Sequence, residues 1–101
     1  MEIKHINLEE FNDLVIEGKQ TVLVDFFATW CGPCKMLAPI LEDVSKVADI
    51  QICKVDIDEN FDLAKSYGIM SVPTIILFKD GVEAKRAIGL KNKDFILDFV
   101  K

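Results

Sequence analysis

Two cysteines separated by two residues, Cys31 and Cys34, have the spacing in this sequence that is best suited to chemistry. Such a pair supplies either half of a metal site or a small redox-active disulfide. The residues before the pair, Thr21–Ala28, are dense in Val, Leu and Phe and predict a strand. The residues after it, Lys35–Ala48, carry a broad apolar face and predict a helix. The pair is therefore expected where a strand turns into a helix.

This position favours a reactive thiol. Cys31 is expected just before the helix and Cys34 in its first turn. Free backbone N–H groups and the positive end of the helix dipole stabilise a thiolate there, and a thiolate is the attacking species in thiol–disulfide exchange. Gly32 and Pro33 between the cysteines argue against an inert buried pair, because such a turn exposes the first sulfur while the second enters the helix.

A zinc site is the main alternative use of the two cysteines. A structural site needs four ligands, usually from two such pairs. The only further candidates are Cys53 and His5, which are single residues in different predicted elements. Cys53 has apolar neighbours in its predicted strand and is interpreted as a small core residue. We therefore expect no metal.

Asp25 is the second unusual residue, because it is the only charged one between Thr21 and Ala28. An isolated carboxylate inside an apolar strand costs several kcal/mol if it stays charged. Three apolar residues follow it, so it does not end the strand. We expect a buried acid with a raised pKa, close to the second sulfur. Lys54 is either its supporting partner from the neighbouring strand or a lysine that extends to the surface, and both interpretations remain open.

The composition limits the range of functions. The 101 residues fit one domain, 1–101, and the half that are apolar exclude a disordered chain. The net charge of −5, with no Lys/Arg block, disfavours a nucleic-acid partner. No apolar run approaches the length of a membrane span. The first five residues contain no apolar signal segment, so a cytoplasmic protein is expected.

The remaining patterns predict an α/β fold. A strand–helix–strand order implies a right-handed crossover and parallel pairing, and Asp80-Gly81 marks an antiparallel hairpin after it. Asn7, Asn60 and Asn92 are predicted to cap three further helices, with Gly18 following the end of the first and Phe95 facing inward from the last. Pro73 is either an ordinary proline at the start of a strand or a cis proline in a tight turn. The predicted strands are Ile3–Ile6, Thr21–Ala28, Ile50–Asp56, Thr74–Phe78 and Val82–Ile88.

The sequence resembles the thioredoxin family over nearly its whole length. Four stretches carry the resemblance in the order typical of the family: Asp25–Lys35, Lys54–Asp58, Tyr67–Thr74 and Phe78–Gly81. The resemblance implies a thioredoxin fold, in which four helices flank a five-stranded mixed sheet built from a βαβ half and an antiparallel ββα half. The family usually has Trp where this chain has Phe27, so an indole N–H donor is lost here.

The same resemblance implies roles for individual residues. Cys31 would be the exposed nucleophile, Cys34 the buried resolving thiol and Asp25 the buried acid–base group. Pro73 would be a cis proline facing the disulfide. The implied substrate surface is flat, uncharged and suited to an extended peptide. It comprises Trp30, Gly32, Pro33, Val72, Pro73 and Gly89.

These expectations together predict a general protein-disulfide reductase. It would be a monomer with no cofactor beyond the Cys31–Cys34 disulfide, it would reduce disulfide-containing proteins, and a thioredoxin reductase would recycle it. Two alternatives remain at this stage. One is an oxidase or isomerase of the same fold, and the other is a non-catalytic binding module that uses the same flat surface.

Overall fold

The computed structural model describes all residues from Met1 to Lys101. A single five-stranded sheet forms its centre, with strands in the order β1-β3-β2-β4-β5. The strands are β1 Lys4–His5, β2 Val22–Phe27, β3 Gln51–Asp56, β4 Thr74–Lys79 and β5 Val82–Ile88. The helices are α1 Leu8–Phe11, which continues as a π-helical segment over Asn12–Ile16, then α2 Gly32–Val47, α3 Phe61–Ser66 and α4 Lys93–Phe99.

The sheet is mixed, as the sequence predicts. Strand β3 pairs in parallel with both β1 and β2, whereas β4 pairs antiparallel with β2 and β5. The α2 crossover joins the parallel strands β2 and β3, and a two-residue turn at Asp80 and Gly81 joins β4 to β5. Both turn residues have positive φ, 53° and 80°, which matches the right-handed twist of a hairpin. The predicted βαβ half and antiparallel ββα half are both confirmed.

Alternation along β2 divides the interior into two cores, because successive side chains of a strand point to opposite faces of the sheet. Val22, Val24 and Phe26 belong to the core under α1 and α3. Leu23 belongs to the core under α2 and α4. Asp25 and Phe27 share the face of Leu23, so the sheet presents this acid towards the helix that begins at the cysteines.

Three local predictions are corrected by the structure. Asn60 occupies the N-cap position of α3, but its side-chain amide donates to the carbonyl of Asp56 and does not cap the helix. Phe95, predicted to face inward, is exposed on α4. The first helix widens into a π-helical segment before Gly18, and the residue with left-handed backbone there is Lys19, at φ 56°.

No helix of the structure combines the length and the apolar character needed to cross a membrane.

Candidate active site

The two cysteines lie at the N-terminus of the 16-residue helix α2, as the sequence predicts. Cys31 is the N-cap residue, with extended backbone, and Cys34 is in the first turn. The backbone N–H of Cys34 donates to Cys31 Sγ at 3.2 Å. The two residues form a disulfide, and their Cα atoms are 5.2 Å apart. A sulfur at this N-cap receives the field of the helix and a direct hydrogen bond.

The two cysteines differ little in exposure. Cys31 retains 5% of its surface and Cys34 retains 2%, so the residue expected to be exposed is the more accessible of two buried residues. The loop before β4 covers Cys31, whose Sγ lies 3.6 Å from the carbonyl oxygen of Val72. Little of this sulfur is therefore accessible to a partner while the disulfide is formed.

The residues of the implied substrate surface come from three segments: the start of α2, the loop before β4 and the end of β5. Trp30, Gly32 and Pro33 are exposed, and Val72 and Gly89 are half-buried. Pro73 is buried, and the Val72–Pro73 peptide bond is cis, as the resemblance implies. The Gly89 N–H donates to the carbonyl of Pro73 at 2.8 Å, and Gly89 has a φ of 95° that suits glycine. This hydrogen bond joins the end of β5 to the loop that covers Cys31.

One contact at this surface involves a residue that the sequence analysis did not assign. The indole N–H of Trp30 donates to the Asp58 carboxylate at 2.9 Å. Trp30 is 67% exposed, so this bond is what fixes the orientation of its ring beside the disulfide. Asp58 lies 28 residues away along the chain, and no spacing in the sequence indicates the pairing.

Asp25 is buried, as predicted, with no exposed surface. Neither of its carboxylate oxygens has a hydrogen-bond partner in the protein. Burial raises the pKa of this carboxyl group from 3.8 to about 7, and the Lys54 ammonium opposes part of that rise. A carboxyl group with this pKa can accept or donate a proton near neutral pH.

Lys54 lies directly across from Asp25 in the pairing of β3 with β2. It is half-buried, and its Nζ lies over the ring of Phe27, 4.5 Å from the ring centroid. No ion pair joins Lys54 to Asp25 within 4 Å. Lys54 does not extend freely into solvent, because it is half-buried against the Phe27 ring. A cleft of about 330 Å³ is lined by Cys34, Phe27 and Lys54, so it lies between the second cysteine and the neighbour of the acid.

Cys53 is a free thiol in the core on the other face of the sheet, under α1 and α3. Desolvation raises the pKa of this thiol to about 11, so it is protonated near neutral pH. This environment agrees with the interpretation of Cys53 as a core residue.

Comparison with known proteins agrees with this geometry. A family model described as Thioredoxin matches residues 2–101. This chain belongs to the thioredoxin family. A thioredoxin of Chlamydia caviae is 48% identical over 99 residues, which cover 97% of this chain and 95% of the relative. A thioredoxin of Rickettsia felis is 47% identical over 92 residues, which cover 89% and 88%.

Solved structures of the thioredoxin family have the same fold. A variant thioredoxin from Halobacterium salinarum superimposes with a TM-score of 0.90 at 38% identity, covering 98% of this chain and 88% of that one. A thioredoxin from Malassezia sympodialis gives a TM-score of 0.88 at 30% identity, covering 98% and 88%. The chain is thus a disulfide oxidoreductase that reduces protein disulfides by thiol–disulfide exchange through Cys31 and Cys34, as the sequence analysis expected.

Proposed function

We propose that this thioredoxin-family reductase divides the exchange among three residues, with Cys31 as nucleophile, Cys34 as resolving thiol and Asp25 as the acceptor of the resolving proton. In the reduced protein the Cys31 thiolate attacks one sulfur of a substrate disulfide. The other substrate sulfur leaves as a thiolate, and a mixed disulfide joins Cys31 to the substrate.

Release of the substrate uses the second cysteine. The Cys34 thiol gives its proton to the Asp25 carboxylate, and its thiolate attacks Cys31 Sγ. The Cys31–Cys34 disulfide forms and the second substrate sulfur leaves as a thiolate. Two electrons have then passed from the protein dithiol to the substrate disulfide, which balances the reaction.

The observation that carries this assignment is the hydrogen bond from the Cys34 N–H to Cys31 Sγ at the start of α2. It points at one sulfur only, so negative charge is stabilised on Cys31 and not on Cys34. Asp25 supports the second step, because its unpaired carboxylate lies on the sheet face that packs under α2. Near neutral pH such a carboxylate is available as a base.

The partners follow from this chemistry. Substrates are proteins with an accessible disulfide, docked as an extended segment across Trp30, Gly32, Pro33, Val72, Pro73 and Gly89. A thioredoxin reductase returns two electrons to the Cys31–Cys34 disulfide, and no further cofactor takes part. The protein acts as a monomer in the cytoplasm, where the thiol poise favours the dithiol form.

Single cysteine variants test the division of roles. Cys31→Ser should abolish reduction of a protein disulfide, because no attacking thiolate remains. Cys34→Ser should instead accumulate a covalent mixed disulfide on Cys31, because the resolving thiol is missing. Mass spectrometry of the trapped adduct locates the attacking sulfur, and Cys53→Ser is the matched control that should turn over normally. An adduct on Cys34 of the Cys31→Ser protein would reverse the two roles.

The direction of electron flow has its own measurement. A reductase requires a reduction potential for the Cys31–Cys34 pair below that of its substrates, whereas an oxidase requires one above it. Equilibration with a glutathione buffer gives this potential. A value more oxidising than the cytosolic glutathione poise would favour the oxidase alternative over the reductase.

A further inference from the structure

A row of three polar side chains crosses the sheet behind the disulfide. In the strand pairing His5 of β1 lies opposite Lys54 of β3, and Lys54 lies opposite Asp25 of β2. Residues directly opposite one another project to the same face of a sheet, so all three point to the side where α2 packs. Lys54 is the middle member and the only positive charge between the buried acid and the sheet edge.

An aromatic ring lies against this row. Phe27 follows Asp25 by two residues on β2 and therefore shares its face. The Nζ atom of Lys54 lies over this ring, 4.5 Å from its centroid. The ring of His5 meets the same ring edge-on, with centroids 5.6 Å apart and planes at 86°. His5, on the edge strand, therefore packs against the Phe27 ring, and the face of that ring contacts the Lys54 ammonium group.

The charges around Lys54 pull in opposite directions. On its buried side is Asp25, whose two oxygens have no other partner. On its outer side is a polar cleft of about 310 Å³, to which Glu10, Asp56 and Glu59 contribute carboxylates. The other titratable groups that line the two clefts beside Lys54 are His5, Cys34 and Lys35. The carboxylates of Glu10 and Asp56 accept backbone N–H groups and Glu59 is exposed, so all three stay on the outer side. Their combined negative charge would draw a free lysine outward, away from the single buried carboxylate.

We propose that Phe27 is a positioning residue for the resolving step, because its ring holds the Lys54 ammonium on the inner side, beside Asp25. Without the ring, Lys54 turns to the outer carboxylates and its influence on Asp25 falls. This inference deepens the proposed function and rests on it for its kinetic consequence, since it assumes that Asp25 accepts the proton of Cys34. The effect of the Lys54 charge on the ionisation of Asp25 does not depend on that assumption.

The sign of the effect follows from the charge of Lys54. A nearby cation favours the ionised carboxylate, so its withdrawal makes Asp25 harder to ionise. Phe27→Leu should therefore move the titration of Asp25 upward by roughly one pH unit, the lower end of what a close charge contributes. At pH 7 the ionised fraction then falls, and resolution of the mixed disulfide slows by about fivefold. Phe27→Trp, whose ring binds cations more strongly, should keep the wild-type titration.

Two measurements on reduced protein test the inference. Carboxyl-detected NMR follows the titration of Asp25 directly and requires no turnover. Rapid mixing with a disulfide protein, alkylation quench and mass spectrometry follows the decay of the mixed disulfide across pH. Phe95→Leu is the matched control, because Lys91 lies over that exposed ring, 5.1 Å from its centroid, and neither residue lines the clefts beside Lys54. It removes a ring and a cation contact but should change neither readout.

The same substitution in a Lys54→Met background separates positioning from packing. If Phe27 acts through Lys54, Phe27→Leu should shift the Asp25 titration in the parent and leave it unchanged when Lys54 is Met. An equal shift in both backgrounds, or no shift in the parent, would overturn the inference. A shift in titration with an unchanged rate of resolution would support the placement of Lys54 and contradict Asp25 as the base, so the two proposals fail separately.

Discussion

At the scale of single residues, Asp25 makes the protein less stable above acidic pH. The rise of its pKa from 3.8 to about 7 corresponds to about 4 kcal/mol that favours the unfolded chain once the carboxyl is ionised. Below pH 3.8 the group is protonated in both states and this cost is absent. Between these values the unfolded chain loses its proton first, so stability falls as pH rises. Above about pH 7 the full cost remains.

Replacement of Asp25 tests this linkage. Asp25→Ala should raise the free energy of unfolding at pH 8 by roughly 2 kcal/mol, because the buried charge is lost and only a small cavity replaces it. At pH 3.5 the gain should disappear. Denaturant melts of reduced protein at both pH values measure the effect, with exposed Asp43→Ala as a control that should show no such pH dependence. A variant that is less stable at every pH would contradict the assignment.

Cys53 is the residue whose chemistry the fold suppresses. It has no exposed surface, and burial raises the pKa of its thiol to about 11, so very little thiolate is present at pH 7. Cys53→Ala should leave turnover unchanged and lower the free energy of unfolding by about 1 kcal/mol through lost packing. Native reduced protein should take up iodoacetamide on Cys31 before Cys53. A several-fold loss of activity in a folded Cys53→Ala protein would give this thiol a redox role.

At the scale of elements, the start of the first helix depends on a reciprocal cap. The Asn7 side chain accepts from the Glu10 N–H at 2.9 Å, and the Glu10 carboxylate accepts from the Asn7 N–H at 3.1 Å. Asn7→Ala removes the first of these bonds and should lower the free energy of unfolding by about 1 kcal/mol. Asn12→Ala, five residues on, removes no side-chain cap and should change it by less than about 0.5 kcal/mol. Equal effects of the two substitutions would refute the cap.

The elements also show which features the sequence can predict. The caps at Asn7 and Asn92 are local, so residues three apart suffice to identify them. Asn60 is in the same kind of sequence, yet the carbonyl of Asp56 takes its amide instead. Whether the Asn60 side chain accepts from the helix N–H groups or donates to the preceding carbonyl depends on the exact path of the turn, which no spacing gives. The prediction that Phe95 faces inward is wrong for a related reason, since its ring stacks on Phe99 and lies outside the core.

The candidate site also combines features that the sequence predicts with contacts that it does not predict. The position of Cys31 and Cys34 at the start of α2 follows from a strand pattern that precedes a helix pattern. The burial of Asp25 follows from its apolar neighbours in the strand. The contacts of Trp30 with Asp58 and of Lys54 with Phe27 join separate segments, and they depend on side-chain orientation after the sheet has formed. Contacts of this kind leave no local pattern in the sequence.

At the scale of the whole molecule, the sheet separates two cores that share almost no side chains. Neighbouring residues of β4 illustrate this, because Ile76 belongs to the core under α1 and α3 while Ile75 belongs to the core under α2 and α4. Only the second core lies beneath the cysteines and Asp25. Packing in the first core can therefore vary without direct contact with the reacting groups, and it supports them through the backbone of the sheet.

The separation of the cores predicts additive energetics. Ile75→Val and Ile76→Val each remove one buried methylene-sized group and should each cost about 1 kcal/mol. The double variant should cost the sum within about 0.5 kcal/mol, because the two side chains project to opposite faces and share no packing neighbours. Denaturant melts of the four proteins at one pH complete the cycle. Single-turnover kinetics should respond only to Ile75→Val, whose side chain shares the face of Asp25. A coupling above about 1 kcal/mol would mean that the central strand transmits packing changes between the two faces.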